Sequence, residues 1–196
     1  MNSSLSVSKF KSNIELVMKY IANISNKNIT HIEYRTRDES IGNIDIFMIS
    51  KTDVIDEFEA FIHLCNYQIH FIDSWKLSET TLSNAGLILE NFLLPEIANY
   101  LFRPLRSSDV TESIDWVIES ALKLLSDSEL VENKAKYPEY WGVFKNGIRM
   151  PDDTTIVSLG ISNIVSGVGF DLEWNSVELM YESDSYYVLF SWGTGA

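Results

Sequence analysis

The chain has 196 residues, enough for one large domain or two small ones, and 45% of them are hydrophobic, enough to bury a core. Its 28 acidic and 15 basic residues give a formal net charge of −13, a field that repels nucleic acid and anionic membrane and draws basic partners in. The apolar runs fall short of the ~18 residues that span a bilayer, Met1 to Lys11 has no apolar block of the secretory kind, and the single cysteine, Cys65, has no disulfide partner, so a cytoplasmic protein stabilised by packing is expected.

Asn2 to Ser8 is polar. From Phe10, the spacing Ile14, Val17, Met18, Ile21 predicts a one-striped helix that ends in the cluster Asn23 to Asn28. Ile29 to Arg37 alternates, with Ile32 and Tyr34 facing one way and His31, Glu33, Arg35 and Arg37 the other, which predicts a half-buried strand. A turn over Asp38 to Asn43 leads into Ile44 to Ile49, a strand apolar on both faces except at Asp45. Asp53 is a candidate cap for a helix with the buried line Val54, Phe58, Phe61, Ile62, Cys65, and a short strand is expected over Gln68 to Ile72. Ser78 opens the next helix, with Leu82, Ala85, Leu89, Phe92 and Leu93 on its core side, and Pro95 kinks it or starts a new one that runs to Phe102. Arg103-Pro104 closes that block. Asp109 and Glu112 have capping-box spacing ahead of the stripe Ile114, Val117, Ile118, Ala121, Leu122, Leu125.

Beyond a polar stretch from Ser126 to Lys136 the composition changes, since seven of the nine glycines lie from Gly142 onward. Trp141 to Met150 reads as a hairpin about Asn146-Gly147, a type I′ signal, and Thr154 to Val165 adds one or two strands. Val168 to Trp192 then alternates as a three-stranded meander with turns at Asn175-Ser176 and Asp184-Ser185. Those turns put Phe170, Leu172, Trp174, Val177, Leu179, Tyr181, Val188, Phe190 and Trp192 on one face. Asp171, Glu173, Glu178, Met180, Glu182, Tyr187, Leu189 and Ser191 take the other. In that register Leu172 faces Leu179, Leu179 faces Phe190, and Glu173 stands opposite Glu178. Like charges so placed cost about 0.2–1 kcal/mol, which folding alone does not explain and a cationic partner would. The fold expected is α+β: a helical N-terminal part with a β-hairpin, packed on a C-terminal antiparallel β-meander. It is read as a single domain over 1–196, with an internal boundary near 126–136 between helix-rich 9–125 and β-rich 141–193.

The charge is unevenly spread. Residues 1–106 hold 13 acids and 10 bases, a difference of −3, whereas residues 107–196 hold 15 acids and 5 bases, a difference of −10. After Arg149 there is no Lys, Arg or His. Motifs for catalysis are missing. His63, Cys65 and His70 match no zinc spacing, no nucleophile elbow or phosphate loop occurs, and Asp45 lacks the acid-x-Lys that would follow it in a metal-dependent nuclease. No catalytic, cofactor-binding or metal-binding residue is assigned. Asp171, Glu173, Glu178 and Glu182 are the candidate partner contacts, with Tyr187 as an aromatic anchor and Asp152, Asp153 and Asp184 as the rim.

In being small, acidic and free of catalytic motifs, the chain resembles in general character the bacterial immunity proteins that neutralise toxins, as in contact-dependent growth inhibition. The resemblance implies a basic toxin domain as partner, a nuclease among the choices, occluded through the acidic sheet face. Two readings from other classes stand beside it: an enzyme with an unrecognised acidic site, and an adaptor domain that binds through apolar surface.

Overall fold

A computed structural model describes residues 28–36, 41–71, 93–124, 134–155 and 163–194, with the isolated residues 87, 91 and 132. The helix expected from Phe10 lies outside them, as does nearly all of the one expected from Ser78. Eight strands form one sheet: β1 (Ile29–Arg35), β2 (Asn43–Ser50), β3 (Arg103–Arg106), β4 (Gly142–Lys145), β5 (Ile148–Arg149), β6 (Ser166–Leu172), β7 (Ser176–Glu182) and β8 (Tyr186–Gly193). Their order is β3-β6-β7-β8-β2-β1-β4-β5, with every neighbouring pair antiparallel. The meander β6-β7-β8 and the hairpin β1-β2, far apart in sequence, are joined where β2 pairs with β8 from Asn43↔Gly193 to Ser50↔Tyr186. The α+β expectation holds, and one sheet runs through both the helix-rich and the β-rich parts.

Helices cover both faces. Helix α1 (Glu57–Phe71) and the short α2 (Leu94–Asn99) pack on one side with Phe47, Ile49, Val168, Phe170, Met180 and Leu189. Helix α3 (Ser107–Leu124) packs on the other through Val110, Ile114, Val117 and Ile118, against Ile44, Ile46, Leu179, Tyr181, Val188 and Phe190. β2 is therefore buried on both sides, as its apolar run predicts. Its alternation sends Phe47 and Ile49 under α1 and Ile44, Ile46 and Met48 under α3.

Several local expectations are corrected. The cap of α1 is Asp56 rather than Asp53: Asp56 Oδ1 accepts from the Phe58 and Glu59 N–H groups at 3.0 and 2.9 Å, while Glu59 Oε2 reaches back to the Ile55 N–H at 2.6 Å. Gln68 lies inside α1, not on a strand, because the buried line Phe58, Phe61, Ile62, Cys65 continues to Ile69 with helical spacing. Arg103-Pro104 belongs to edge strand β3, where proline costs no ladder bond on the open side. α3 starts at Ser107, and Asp109 turns back to the Arg106 N–H at 3.0 Å. Pro95 lies in the first turn of α2, as expected, but the helix ends at Asn99 rather than running to Phe102, whose φ is 44°. The Asn146-Gly147 hairpin is present, with φ of 50° and 77°, and its Asn146 Oδ1 accepts from the His31 N–H at 2.9 Å. Of the strands expected over 154–165, residues 154–155 and 163–165 are not strand, and the rest lie outside the described residues.

The meander's second turn is Asp184-Ser185, and Leu179 faces Phe190, both as the spacing predicts. Its first turn is Trp174-Asn175, one residue earlier than expected, since the Glu173 N–H donates to Ser176 O at 2.8 Å. A β-bulge between Gly169 and Asp171 compensates for that shift, so Leu172 faces Val177 and Asp171 faces Glu178. Three face assignments change as a result: Phe170 turns to the α1 side, Trp174 stands 72% exposed at the turn, and Glu173 does not oppose Glu178.

Candidate functional site

The acidic face of the meander is not an open sheet. Met180 and Leu189, at its centre, are 0% and 1% exposed beneath the α1 layer. The register explains how acids and an apolar core share that face. Its middle row, His31-Phe47-Leu189-Met180-Val168, is apolar apart from His31. On one side of it runs Ile29-Ile49-Tyr187-Glu182-Ser166, and on the other Glu33-Asp45-Ser191-Glu178-Asp171. This last row crosses five strands, about 19 Å, and carries four carboxylates.

The β1 half of the row is closed on itself. Arg35 binds both oxygens of Glu33 at 2.8 and 2.7 Å and lies 4.2 Å from the Phe144 ring centroid, and His31 Nε2 meets Asp45 Oδ1 at 2.7 Å. Burial holds the Asp45 carboxyl above the usual carboxylate range, with the His31 hydrogen bond pulling the other way. His31, Glu33 and Asp45 bring ligand atoms within 4.8 Å of one another, the only such group among the described residues. They could hold a cation only by giving up the Arg35–Glu33 and His31–Asp45 contacts they already make.

The β6-β7 half opens into a cavity of about 450 Å³ between α1, α2 and the hairpin, lined by Gln68, Tyr100, Leu101, Phe170, Asp171 and Glu178. Glu178 Oε1 accepts from Gln68 Nε2 at 2.8 Å and Ser191 Oγ at 3.2 Å, and Tyr100 OH lies 3.4 Å from Oε2. Ser176 Oγ donates to Asp171 Oδ2 at 2.5 Å. The Tyr100 and Phe170 rings stack with centroids 5.3 Å apart. Leu101 is 74% exposed at the cavity, so an apolar side chain flanks the acids, while Trp174 stands exposed at the neighbouring turn. Behind the turn, on the α3 side, a groove of about 600 Å³ is lined by Arg103, Arg106, Trp116, Leu172, Glu173 and Trp174. Its charge is mixed, so the acidic character belongs to the α1 side.

The candidate contacts therefore divide. Asp171 and Glu178 come together in the cavity at the β6-β7 end, and Glu173, at the same end, lines the α3-side groove instead. Glu182 is 2% exposed, receives Lys51 Nζ at 3.3 Å and Ser166 Oγ at 3.1 Å, and offers no open carboxylate to a partner. Tyr187 is half-buried beneath Lys51, whose Nζ lies 5.3 Å from its ring centroid. Asp184 is exposed at the opposite turn, about 20 Å along the strands, and receives Asn163 Nδ2 at 2.7 Å. Asp152 and Asp153 are exposed beyond β5, where Arg149 meets Asp152 at 2.6 Å, on the order of 30 Å across the sheet from β6. The eight residues do not form one surface. Sequence reasoning missed Gln68, Tyr100, Leu101 and the exposure of Trp174. Of the acidic row, Asp171 and Glu178 were visible on the polar face of the meander and Asp45 as the lone acid of an apolar strand, but not that they share a row.

Among the described residues no helix is long and apolar enough to cross a membrane. The chain matches no protein-family model, no curated protein and no solved structure.

Proposed function

We propose that this chain is a toxin-neutralising immunity protein of the contact-dependent growth inhibition type, which occludes a basic partner domain with the β6-β7 end of its sheet. The observation that carries the reading is that the β6-β7 end presents acids with exposed apolar side chains on both sides of the sheet: Asp171 and Glu178 line the α1-side cavity with exposed Leu101, and exposed Glu173 and Trp174 line the α3-side groove. Apolar anchors beside charges are the make-up of an interface hot spot, and a net charge of −13 speeds encounter with a cationic surface. Lys and Arg that a toxin uses to grip its own substrate would be held here instead. In this reading Asp152, Asp153 and Asp184 act at a distance, adding to the attracting field without touching the partner, and Glu182 and Tyr187 serve the fold.

The test has two steps. Wild type and Glu173→Lys are used as bait for basic proteins at low salt, and the captured protein is then produced in cells with and without the wild-type chain. A basic, growth-inhibiting protein held by wild type, lost by the variant and neutralised on co-production supports the reading. Retention by both variants, or retention that persists at about 0.5 M salt, places recognition elsewhere and favours apolar docking.

A further inference from the structure

Resting on that reading, we infer that the edge of β6 at Leu172 is a strand-docking site, where an extended segment of the basic partner pairs antiparallel with Leu172 and lays an apolar side chain in the α3-side groove.

The ladder leaves this edge open. The Glu173 N–H donates to Ser176 O at 2.8 Å, so those two residues form a hydrogen-bonded pair, and the next pair, Leu172↔Val177, is by alternation a non-hydrogen-bonded one. The N–H and C=O of Leu172 therefore point away from β7. Among the described residues no strand stands opposite them, because β3 stops pairing at Arg103↔Gly169. There Phe102, with φ of 44°, turns the chain out of the ladder and into the α1-side core, leaving Leu101 74% exposed.

The two outer edges of the sheet are blunted in ways that keep other chains from pairing with them. β5 has only two residues, and β3 carries Pro104, with no N–H to offer on its open side, between Arg103 and Arg106. Leu172 has neither device. Its neighbours are Asp171 and Glu173, charges that repel a second copy of the same edge and attract a basic strand.

The groove supplies the pocket that such a strand needs for specificity. Leu172 packs on the α3 side, and a partner residue paired with it points the same way, over Leu172, Val177, Trp116 and Trp174. Trp116 is held edge-on by Trp192, with ring centroids 5.6 Å apart, and is still 44% exposed, while Trp174 is 72% exposed. Two indoles thus border a groove of about 600 Å³ with open apolar surface. The partner residues on either side of the paired one turn to the α1 side, next to Asp171, where Lys or Arg fits.

The test follows amide hydrogen exchange of the full chain by NMR, with the blocked peptide acetyl-Thr-Lys-Phe-Lys-Thr-amide standing in for the partner. In the free chain the Leu172 amide should exchange at least about tenfold faster than that of Val177, whose outward groups meet Trp192 on β8. A saturating peptide should slow Leu172 by about tenfold and shift the indole signals of Trp116 and Trp174. Methylating the peptide's phenylalanine nitrogen removes the donor to Leu172 O and should weaken binding by about fivefold or more. Replacing that phenylalanine by alanine, or both lysines by glutamate, should weaken it as well. Binding that ignores N-methylation, or a Leu172 amide that no peptide protects, would overturn the inference. So would protection already present in the free chain: independent of concentration, it makes another part of this chain the occupant, and rising with concentration, it makes a second copy the occupant. Such failures leave the immunity reading standing, since capture led by charge does not need the edge; that reading falls on the co-production test instead.

Discussion

The indole N–H of Trp192 donates to the backbone carbonyl of Ile41 at 2.9 Å, in a bond that ties the last strand of the meander to the turn before β2. Trp192 is 5% exposed and Ile41 is 0% exposed, so water has little access to that carbonyl. Immediately after it, Gly42 has φ of +73° and an added Cβ would lie 2.0 Å from the Gly193 carbonyl oxygen, so the two segments touch backbone to backbone. Trp192→Phe keeps a ring but orphans the carbonyl, and should cost about 1–3 kcal/mol in urea unfolding. A change under about 0.5 kcal/mol would show that this junction does not hold the two parts of the sheet together.

Glu173 and Glu178, two neighbouring acids of the same hairpin, should respond differently to charge reversal. Glu173 is exposed at the strand end, and Glu173→Lys should change stability by less than about 0.5 kcal/mol. Glu178 is half-buried and accepts from Gln68 and Ser191, so Glu178→Lys turns two donors against a new donor and should cost about 1–3 kcal/mol. Chemical denaturation of the two single variants measures the difference. Equal costs would contradict the hydrogen bonding at Glu178.

What the sequence made legible and what it hid divide along one physical line. Local signals were readable: the alternation of β1, the apolar run of β2, the Asn146-Gly147 turn, the Asp184-Ser185 turn and the stripe of α3 all depend on residues close in the chain. The bulge at Phe170 was not readable, because Gly169 and Asp171 alternate normally until the turn is seen to be one residue early. β3 was hidden because only Leu105 of its four residues is buried, which leaves no pattern. The acidic row was out of reach for another reason. It exists only once β8 pairs with β2, a contact between residues about 140 positions apart, and nothing in either strand names the other. A face that reads as polar along the meander can thus be covered, since the apolar row of Phe47, Leu189, Met180 and Val168, with Ile49 and Phe170 beside it, seats a helix next to the acidic row.

The start of α3 gives the pH prediction. The Arg106 side chain and backbone N–H hold the Asp109 carboxyl down to about 2, below the ~3.9 expected for the unfolded chain. A depressed folded-state value means that the unfolded chain takes up the proton first. The stabilising contribution is therefore present above about pH 4 and fades as pH falls toward 2. Asp109→Asn removes that dependence. Urea midpoints of wild type and variant should differ by a constant amount from pH 5 to 7 and converge below about pH 4, with a smaller gap in high salt because both groups face solvent. A gap that widens in acid would reverse the assigned sign.

Trp174 separates a role in binding from a role in folding more sharply than any acid does. At 72% exposure its ring contributes little to the core, and the turn around it is held by the Glu173 N–H to Ser176 O bond and by Thr194 N–H to Asn175 O, neither of which needs the side chain. Trp174→Ala should leave the unfolding free energy within about 0.5 kcal/mol of wild type. If the β6-β7 end is where a partner docks, the same change should weaken binding by about 2 kcal/mol or more, mainly through faster dissociation, and with little effect on how association depends on salt. Glu173→Lys should do the opposite, slowing association and flattening its salt dependence. Stopped-flow association with a captured partner at two ionic strengths distinguishes the two patterns. A Trp174→Ala variant that binds as wild type does would remove the turn from the interface, whatever the acids beside it contribute.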